Sequence, residues 1–236
     1  MKIISTVIAT VLVASAISAS SASASLLLSG SSGNRAASAN FSVVAGTQLR
    51  VVLTNIATND ITGTADLLTA VFLRIDGPAI NTLAPVSAIL SAGSIVHNGP
   101  NGGGNLGGEW AFASGGNYPG STNVGIGSAG FNIFGQGNFN GPDLDSPTAV
   151  NGANYGITSA GDNLVTANGG LANDPIVKNS VTFTILGLPE NFDLSRISSA
   201  YFQYGTSISE GGFSVPTPGA FALLGMGGLV MARRRR

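Results

Sequence analysis

Apolar and polar residues alternate in several short stretches of this chain. In residues 181–185 the odd positions are apolar and the even positions are threonine. Residues 49–53 and 71–75 repeat this period of two, with Arg50 and Arg74 at polar positions. A strand with one buried and one solvated face has this pattern, so the pattern predicts β-strands. Two further candidate strands are marked by Phe41 and Val43, and by Ala200, Phe202 and Tyr204.

Turn-forming sequences separate these predicted strands. They are Asn59-Asp60, Asp76-Gly77-Pro78 and Gly187-Leu188-Pro189. Such residues accept turn geometry or lack a backbone donor, and no convincing helix of ten or more residues is present. We therefore predict an all-β fold over residues 25–214, an antiparallel β-sandwich with a jelly roll as the alternative. About 190 residues are enough for one hydrophobic core, which indicates a single domain.

Residues 93–170 differ in composition from the rest of the predicted domain. They contain 21 of the 34 glycines and many asparagines. Aromatic and aliphatic residues still interrupt this region. They are Phe112, Phe131, Ile133, Phe134 and Phe139. We expect two or three short strands here, joined by long loops rich in Gly and Asn.

The first 24 residues have the organisation of a secretory signal peptide. Lys2 precedes an apolar stretch at residues 3–13, and small residues follow, including Ala22 and Ala24. Small side chains at these two positions suit signal peptidase, which would cut after Ala24 and leave Ser25 as the new N-terminus. A cut after Ala22 and an uncleaved, buried N-terminal helix are the alternatives.

The last 22 residues have three parts. A proline-containing motif precedes thirteen mostly apolar residues at 220–232, and four arginines end the chain. Thirteen helical residues span about 20 Å, which is shorter than the hydrocarbon core of about 30 Å. The arginines would hold the C-terminus in the cytoplasm. This order suits a short helix that spans the membrane only transiently.

This tail resembles the PEP-CTERM sorting signal of bacterial surface proteins, in which a Val-Pro-Glu-Pro motif precedes a short membrane segment and terminal arginines. The matching residues are Val215, Pro216, Thr217, Pro218, Gly219, Arg233, Arg234, Arg235 and Arg236. Thr217 stands where that family usually has Glu. The resemblance implies that a membrane-embedded transpeptidase of the exosortase type cuts near the motif and transfers the protein onward. An anchor that is never processed is the alternative.

Charge and composition exclude several classes of function. The predicted mature domain has five basic and eleven acidic residues, a net charge of about −6. It therefore lacks the basic surface that binds nucleic acid. The chain has no cysteine and a single histidine, His97, which excludes thiol catalysis and multi-histidine metal sites. We expect no cofactor apart from a candidate calcium ion.

The calcium candidate is the segment around Asp143 and Asp145. Asn138, Asn140 and Gly141 precede it, so oxygen ligands cluster in a flexible loop, as calcium prefers. A solvated turn is the alternative. Trp110 is a candidate for stacking on a sugar, and a core position is the alternative for this residue.

Signals for catalysis are weaker. Residues 125–130 match the dinucleotide motif G-x-G-x-x-G, but no helix follows to hold a pyrophosphate. His97 is a candidate base without a G-x-S-x-G nucleophile motif. Candidate carboxylate pairs for sugar hydrolysis come from Glu109, Asp143, Asp145, Glu190 and Asp193.

The resemblance implies a non-enzymatic protein that is exported, held briefly in the inner membrane, and then retained at the cell surface or in an extracellular matrix. PEP-CTERM proteins tend to occur in bacteria that make exopolysaccharide, so extracellular polysaccharide is an implied partner and biofilm an implied context. A lectin-like carbohydrate-binding module that uses Trp110 and the loop at residues 143–145 is the alternative. A hydrolase is the third interpretation.

Overall fold

The computed structural model describes residues 24–135, 139–147, 150, 152–166, 171 and 173–217. The strands are β1 (Ser25–Ser32), β2 (Arg35–Val44), β3 (Gln48–Asn55), β4 (Leu68–Ile75), β5 (Ala84–Leu90), β6 (Ile95–His97), β7 (Ala111–Tyr118), β8 (Thr122–Gly127), β9 (Ile157–Thr158), β10 (Ile176–Lys178), β11 (Ser180–Leu186), β12 (Ile197–Tyr204) and β13 (Gly212–Pro216). Short 3₁₀ turns are at Thr64–Asp66, Gly102–Gly104, Gly107–Glu109, Pro119–Ser121, Leu164–Thr166, Leu194–Arg196 and Ile208–Glu210.

The described residues form no α-helix, which confirms the prediction of an all-β fold. None of their helical turns has the length and apolar character needed to cross a bilayer. Residues 1–23 of the predicted signal peptide and residues 218–236 of the predicted tail lie outside the described residues.

The strands form two sheets. In the first sheet the order is β1-β2-β3-β11-β5, and all neighbours are antiparallel. In the second sheet the main order is β13-β12-β4-β9-β10-β6, and β8 pairs with both β4 and β7. All pairs in the second sheet are antiparallel except β9 and β10, which are parallel. Two sheets rich in antiparallel pairs are consistent with the predicted β-sandwich.

The main hydrophobic core contains side chains from both sheets. Phe41, Val51 and Phe183 from the first sheet belong to the same buried cluster as Leu73 and Phe202 from the second. The period of two accounts for this arrangement, because alternate residues of a strand point to one face. In β11 the residues at 181, 183 and 185 are buried and the two threonines between them are only half-buried, as predicted.

Strand β4 departs from the predicted pattern of one buried and one solvated face. Phe72 lies on the face opposite Leu73, yet it is fully buried. A second cluster covers this outer face, and in it the ring of Phe72 stacks on that of Phe134 with centroids 5.8 Å apart. Within β4, Arg74 alone is exposed. The loop after β8 therefore adds a layer outside the second sheet.

The Gly-rich region contains more strands than predicted. The described residues between 93 and 170 form four strands, β6 to β9, where two or three were expected. Two of them are very short, and β9 has only two residues. The alternation of side chains carries little signal over two or three residues, so such strands are defined by their pairing partners.

Candidate functional site

The described domain begins at the predicted signal cleavage site. Ala24 is exposed and precedes the first residue of β1, Ser25. Ser25 lies opposite Ser42 in the antiparallel pairing of β1 with β2. A cut after Ala24 would therefore leave the whole of β1 in the mature protein. The other predicted cleavage residue, Ala22, lies outside the described residues.

The described domain ends inside the predicted sorting motif. Val215 and Pro216 are the last residues of β13, and they lie opposite Ala200 and Ser199 of β12. The predicted domain boundary was residue 214, so the final strand extends two residues beyond it. The fold thus includes the first two residues of the motif, while Pro218, Gly219 and the four terminal arginines lie outside the described residues.

Thr217 is also attached to the domain, although it lies beyond the end of β13. Its backbone N–H donates to the carbonyl oxygen of Ser198 at 2.9 Å. Its Oγ1 hydroxyl donates to the same oxygen at 2.8 Å. The backbone bond continues the ladder of β12 and β13 by one residue, and the side chain reinforces it.

Strands β1 and β13 are edge strands of the two sheets, and they contact each other. Gly30 of β1 has no side chain at the point of closest approach. A Cβ atom added there would lie 2.7 Å from Cγ2 of Val215 and 3.4 Å from the ring of Phe213. Gly30 therefore leaves the space that the first residue of the motif occupies.

The calcium candidate lies in a loop that is fixed to the rest of the domain. Oε1 of Glu109 accepts hydrogen bonds from the backbone N–H groups of Leu144 and Asp145. The side chain of Asn154 donates to Asp145. Burial raises the pKa of the Glu109 carboxyl, and the charges of Asp143 and Asp145 add to this effect. Glu109 thus acts as a buried acceptor for the loop backbone.

The glycines before Glu109 allow this loop to approach closely. A Cβ atom on Gly107 would lie 2.2 Å from the carbonyl oxygen of Asn140, and one on Gly108 would lie 2.1 Å from that of Pro142. The backbones are therefore in direct contact. Within the described part of the chain, no three His, Asp or Glu side chains form a group that could hold a metal ion.

Trp110 is a core residue. Its indole is 0% exposed, and its ring packs edge-on against Phe183 with centroids 4.9 Å apart. A buried indole presents no face to a sugar ring. This corrects the expectation that Trp110 contacts a glycan and favours the core position that was its alternative.

His97 lies beside an open groove of about 490 Å³. Asp162 and Lys178 also line this groove. However, both carboxylate oxygens of Asp162 are engaged, since they accept hydrogen bonds from the Ile61 N–H at 2.9 Å and the Thr158 hydroxyl at 2.6 Å. None of the described groove residues is a serine or threonine. The described lining of the groove therefore places no hydroxyl nucleophile beside His97.

The remaining candidate carboxylates, Glu190 and Asp193, lie in the loop between β11 and β12. Asp193 precedes the 3₁₀ turn Leu194–Arg196, and its carboxylate accepts a hydrogen bond from the Ser195 N–H at 2.8 Å. Asp193 therefore caps the turn, because its carboxylate satisfies a backbone N–H that has no partner within the turn. Glu190 is exposed in the same loop between β11 and β12.

The G-x-G-x-x-G match has a packing role in this structure. Gly125 and Gly127 belong to β8 and carry no side chain where the Phe134 ring covers the sheet. A Cβ atom on Gly127 would lie 2.5 Å from Phe134, and one on Gly125 would lie 2.8 Å from Phe72. The sequence analysis did not predict this role. The spacing of two residues between Gly125 and Gly127 could have indicated it, because residues two apart in a strand lie on the same face.

Comparisons with protein-family models, with curated proteins and with solved structures found no match.

Proposed function

We propose that this protein is a secreted, exosortase-processed structural protein of a bacterial cell surface or extracellular matrix, with a β-sandwich as its mature domain. One observation supports this proposal best. Among the described residues, the first strand begins at Ser25, directly after the predicted signal cleavage, and the last strand ends at Pro216, inside the predicted sorting motif. The folded domain therefore occupies the span between the two segments that processing would remove.

The polar groups inside the domain suit a structural role. The carboxylates of Glu109 and Asp162 are almost fully buried, and each accepts two hydrogen bonds that fix neighbouring segments. Buried carboxyl groups that are hydrogen-bonded in this way are satisfied within the fold and are not available to a substrate. The proposal is therefore of a protein that persists outside the cell and does not act as a catalyst.

The proposed route has two processing steps. Signal peptidase removes residues 1–24 during export, while residues 220–232 hold the chain in the inner membrane with the arginines inside. A transpeptidase of the exosortase type then cuts outside the bilayer near the motif. The mature domain passes to the surface, where extracellular polysaccharide is its proposed partner.

The C-terminal arginines provide the test of this route. Replacing Arg233, Arg234, Arg235 and Arg236 by serine removes the cationic stop, so uncut protein should appear in the periplasm. The matched control replaces the same four arginines by lysine, which retains the charge and should retain processing. Cell fractionation followed by intact mass measurement reports the location and both termini.

Replacement of Pro216 and Pro218 by alanine should fail differently. The membrane anchor remains and pairing with β12 still holds residue 216, but residue 218 loses the restraint that proline imposes on the backbone, so uncut protein should stay in the membrane fraction. If this variant and the serine variant are both processed and located like the parent, the tail is not a sorting signal. The proposed function would then be refuted.

A further inference from the structure

We propose that the fold of the domain limits where the tail can be cut, so that the mature chain ends at Thr217 or at a later residue. This inference rests on the proposed function and specifies its processing site. The motif allows a cut on either side of each proline. The structure constrains the earlier of these bonds, because β13 and Thr217 belong to the folded domain.

The first reason is the pairing of β13. This strand pairs with β12 from Gly212, opposite Gln203, to Pro216, opposite Ser199, and the Thr217 N–H extends the ladder to Ser198. A protease must surround the backbone of its substrate, whereas one edge of β13 is bonded to β12. Cleavage before Thr217 therefore requires β13 to separate first, and such local opening costs free energy.

The second reason is the packing of the β13 side chains. The ring of Phe213 lies 5.4 Å from that of Phe202 and 6.2 Å from that of Tyr204. Val215 packs into the space above Gly30 on the facing sheet. Phe213 and Val215 both contact the main core. Opening β13 would expose this apolar surface to water. The free-energy cost of opening therefore includes the loss of apolar burial as well as the loss of the strand hydrogen bonds.

The experiment on the parent protein is an intact mass measurement of the processed form isolated from its native cells. We expect a chain that starts at Ser25 and ends at Thr217 or later. A chain that ends at Pro216 or earlier would overturn the limit and leave the proposed function in place. A chain that retains Arg236 would refute the proposed function, and the processing site with it.

A second experiment depends only on the fold. The purified full chain is digested briefly with proteinase K, and the masses of the first products are measured. We expect the earliest C-terminal cuts after Thr217. Early cuts within β13 would overturn the proposed limit whatever happens in cells, because they would show that the folded strand is accessible.

Variants of β13 test the physical reason. Phe213→Ala removes the ring that packs on Phe202, so the fraction of products that end before Thr217 should rise at least tenfold in both experiments. Ser214→Ala is the control, since this side chain is exposed on the same strand. Equal product patterns in Phe213→Ala and Ser214→Ala would contradict the role of β13 packing. If Phe213→Ala does not fold, the proposed limit is tested by the C-terminus of the processed parent protein, as given by its intact mass.

Discussion

Phe183 lies in the middle of β11, which is itself between β3 and β5. It is opposite Val51 on one side and Ala88 on the other, and its side chain is fully buried. Its ring centroid lies 4.9 Å from that of Trp110 and 5.4 Å from that of Phe139. Phe183→Ala would therefore remove the ring that joins the first sheet to the Trp110 segment.

The expected loss in the free energy of unfolding has two parts. Loss of the buried apolar surface of Phe183 accounts for about 2–3 kcal/mol. The cavity left in a packed core, together with the lost ring contacts, adds about 1–2 kcal/mol. The total of about 3–5 kcal/mol agrees with the range for buried Phe→Ala substitutions in general. A loss of this size is a large fraction of the stability of most domains.

The control is Thr182→Ala, one position earlier in the same strand. Thr182 points to the other face, is half-buried, and its hydroxyl lies 2.8 Å from that of Ser91. Loss of this hydrogen bond should cost about 1 kcal/mol. Urea denaturation of the purified parent and both variants, followed by tryptophan fluorescence, gives the two differences directly. Trp110 is the only tryptophan in the chain and packs on Phe183, so its signal reports on this core.

Equal losses in the two variants would refute the reasoning. The period of two would then not separate a core face from an outer face in β11. A loss below about 1 kcal/mol for Phe183→Ala would mean that neighbouring side chains fill the space left by the ring, so that no cavity remains to destabilise the core.

Three further predictions concern packing, pH and processing. Gly127→Ala should destabilise the protein by about 1–3 kcal/mol in urea, because its Cβ would lie 2.5 Å from Phe134. Gly135→Ala, with nothing within 4 Å, should change stability by less than about 0.5 kcal/mol. Burial raises the pKa of Glu109 in the folded state above its ordinary 4.5. Above about pH 4.5 the folded state therefore binds more protons than the unfolded state, so the free energy of unfolding falls as pH rises through the folded pKa. Glu109→Gln lacks this titration, so its melting temperature relative to that of the parent should rise as the pH is raised above about 4.5, and a difference that stays constant with pH would contradict this. N-terminal sequencing of the exported protein should begin at Ser25, and Met1 there would contradict export.

The sequence by itself determined the class of fold. The alternation in residues 181–185 and 49–53 is a local property of each strand, and it predicts which side chains face the core before any partner is known. Both segments have the predicted buried face in the structure. The turn residues and the absence of a helical period are equally local, so they predicted an all-β fold without knowledge of strand order.

Only the tertiary structure decided how the strands pair and what covers them. β11 lies between β3 and β5, which are separated from it by about ninety residues or more, and no local period encodes such a distant pairing. Burial of Trp110 and Phe72 depends on side chains from other segments, Phe183 and Phe134, that pack against them. Glycine composition alone indicates loops, whereas in β8 Gly127 provides a flat surface for a ring. In the same way, the motif predicted a processing site, but the contact of Thr217 with Ser198 depends on β12, which the tail sequence does not contain.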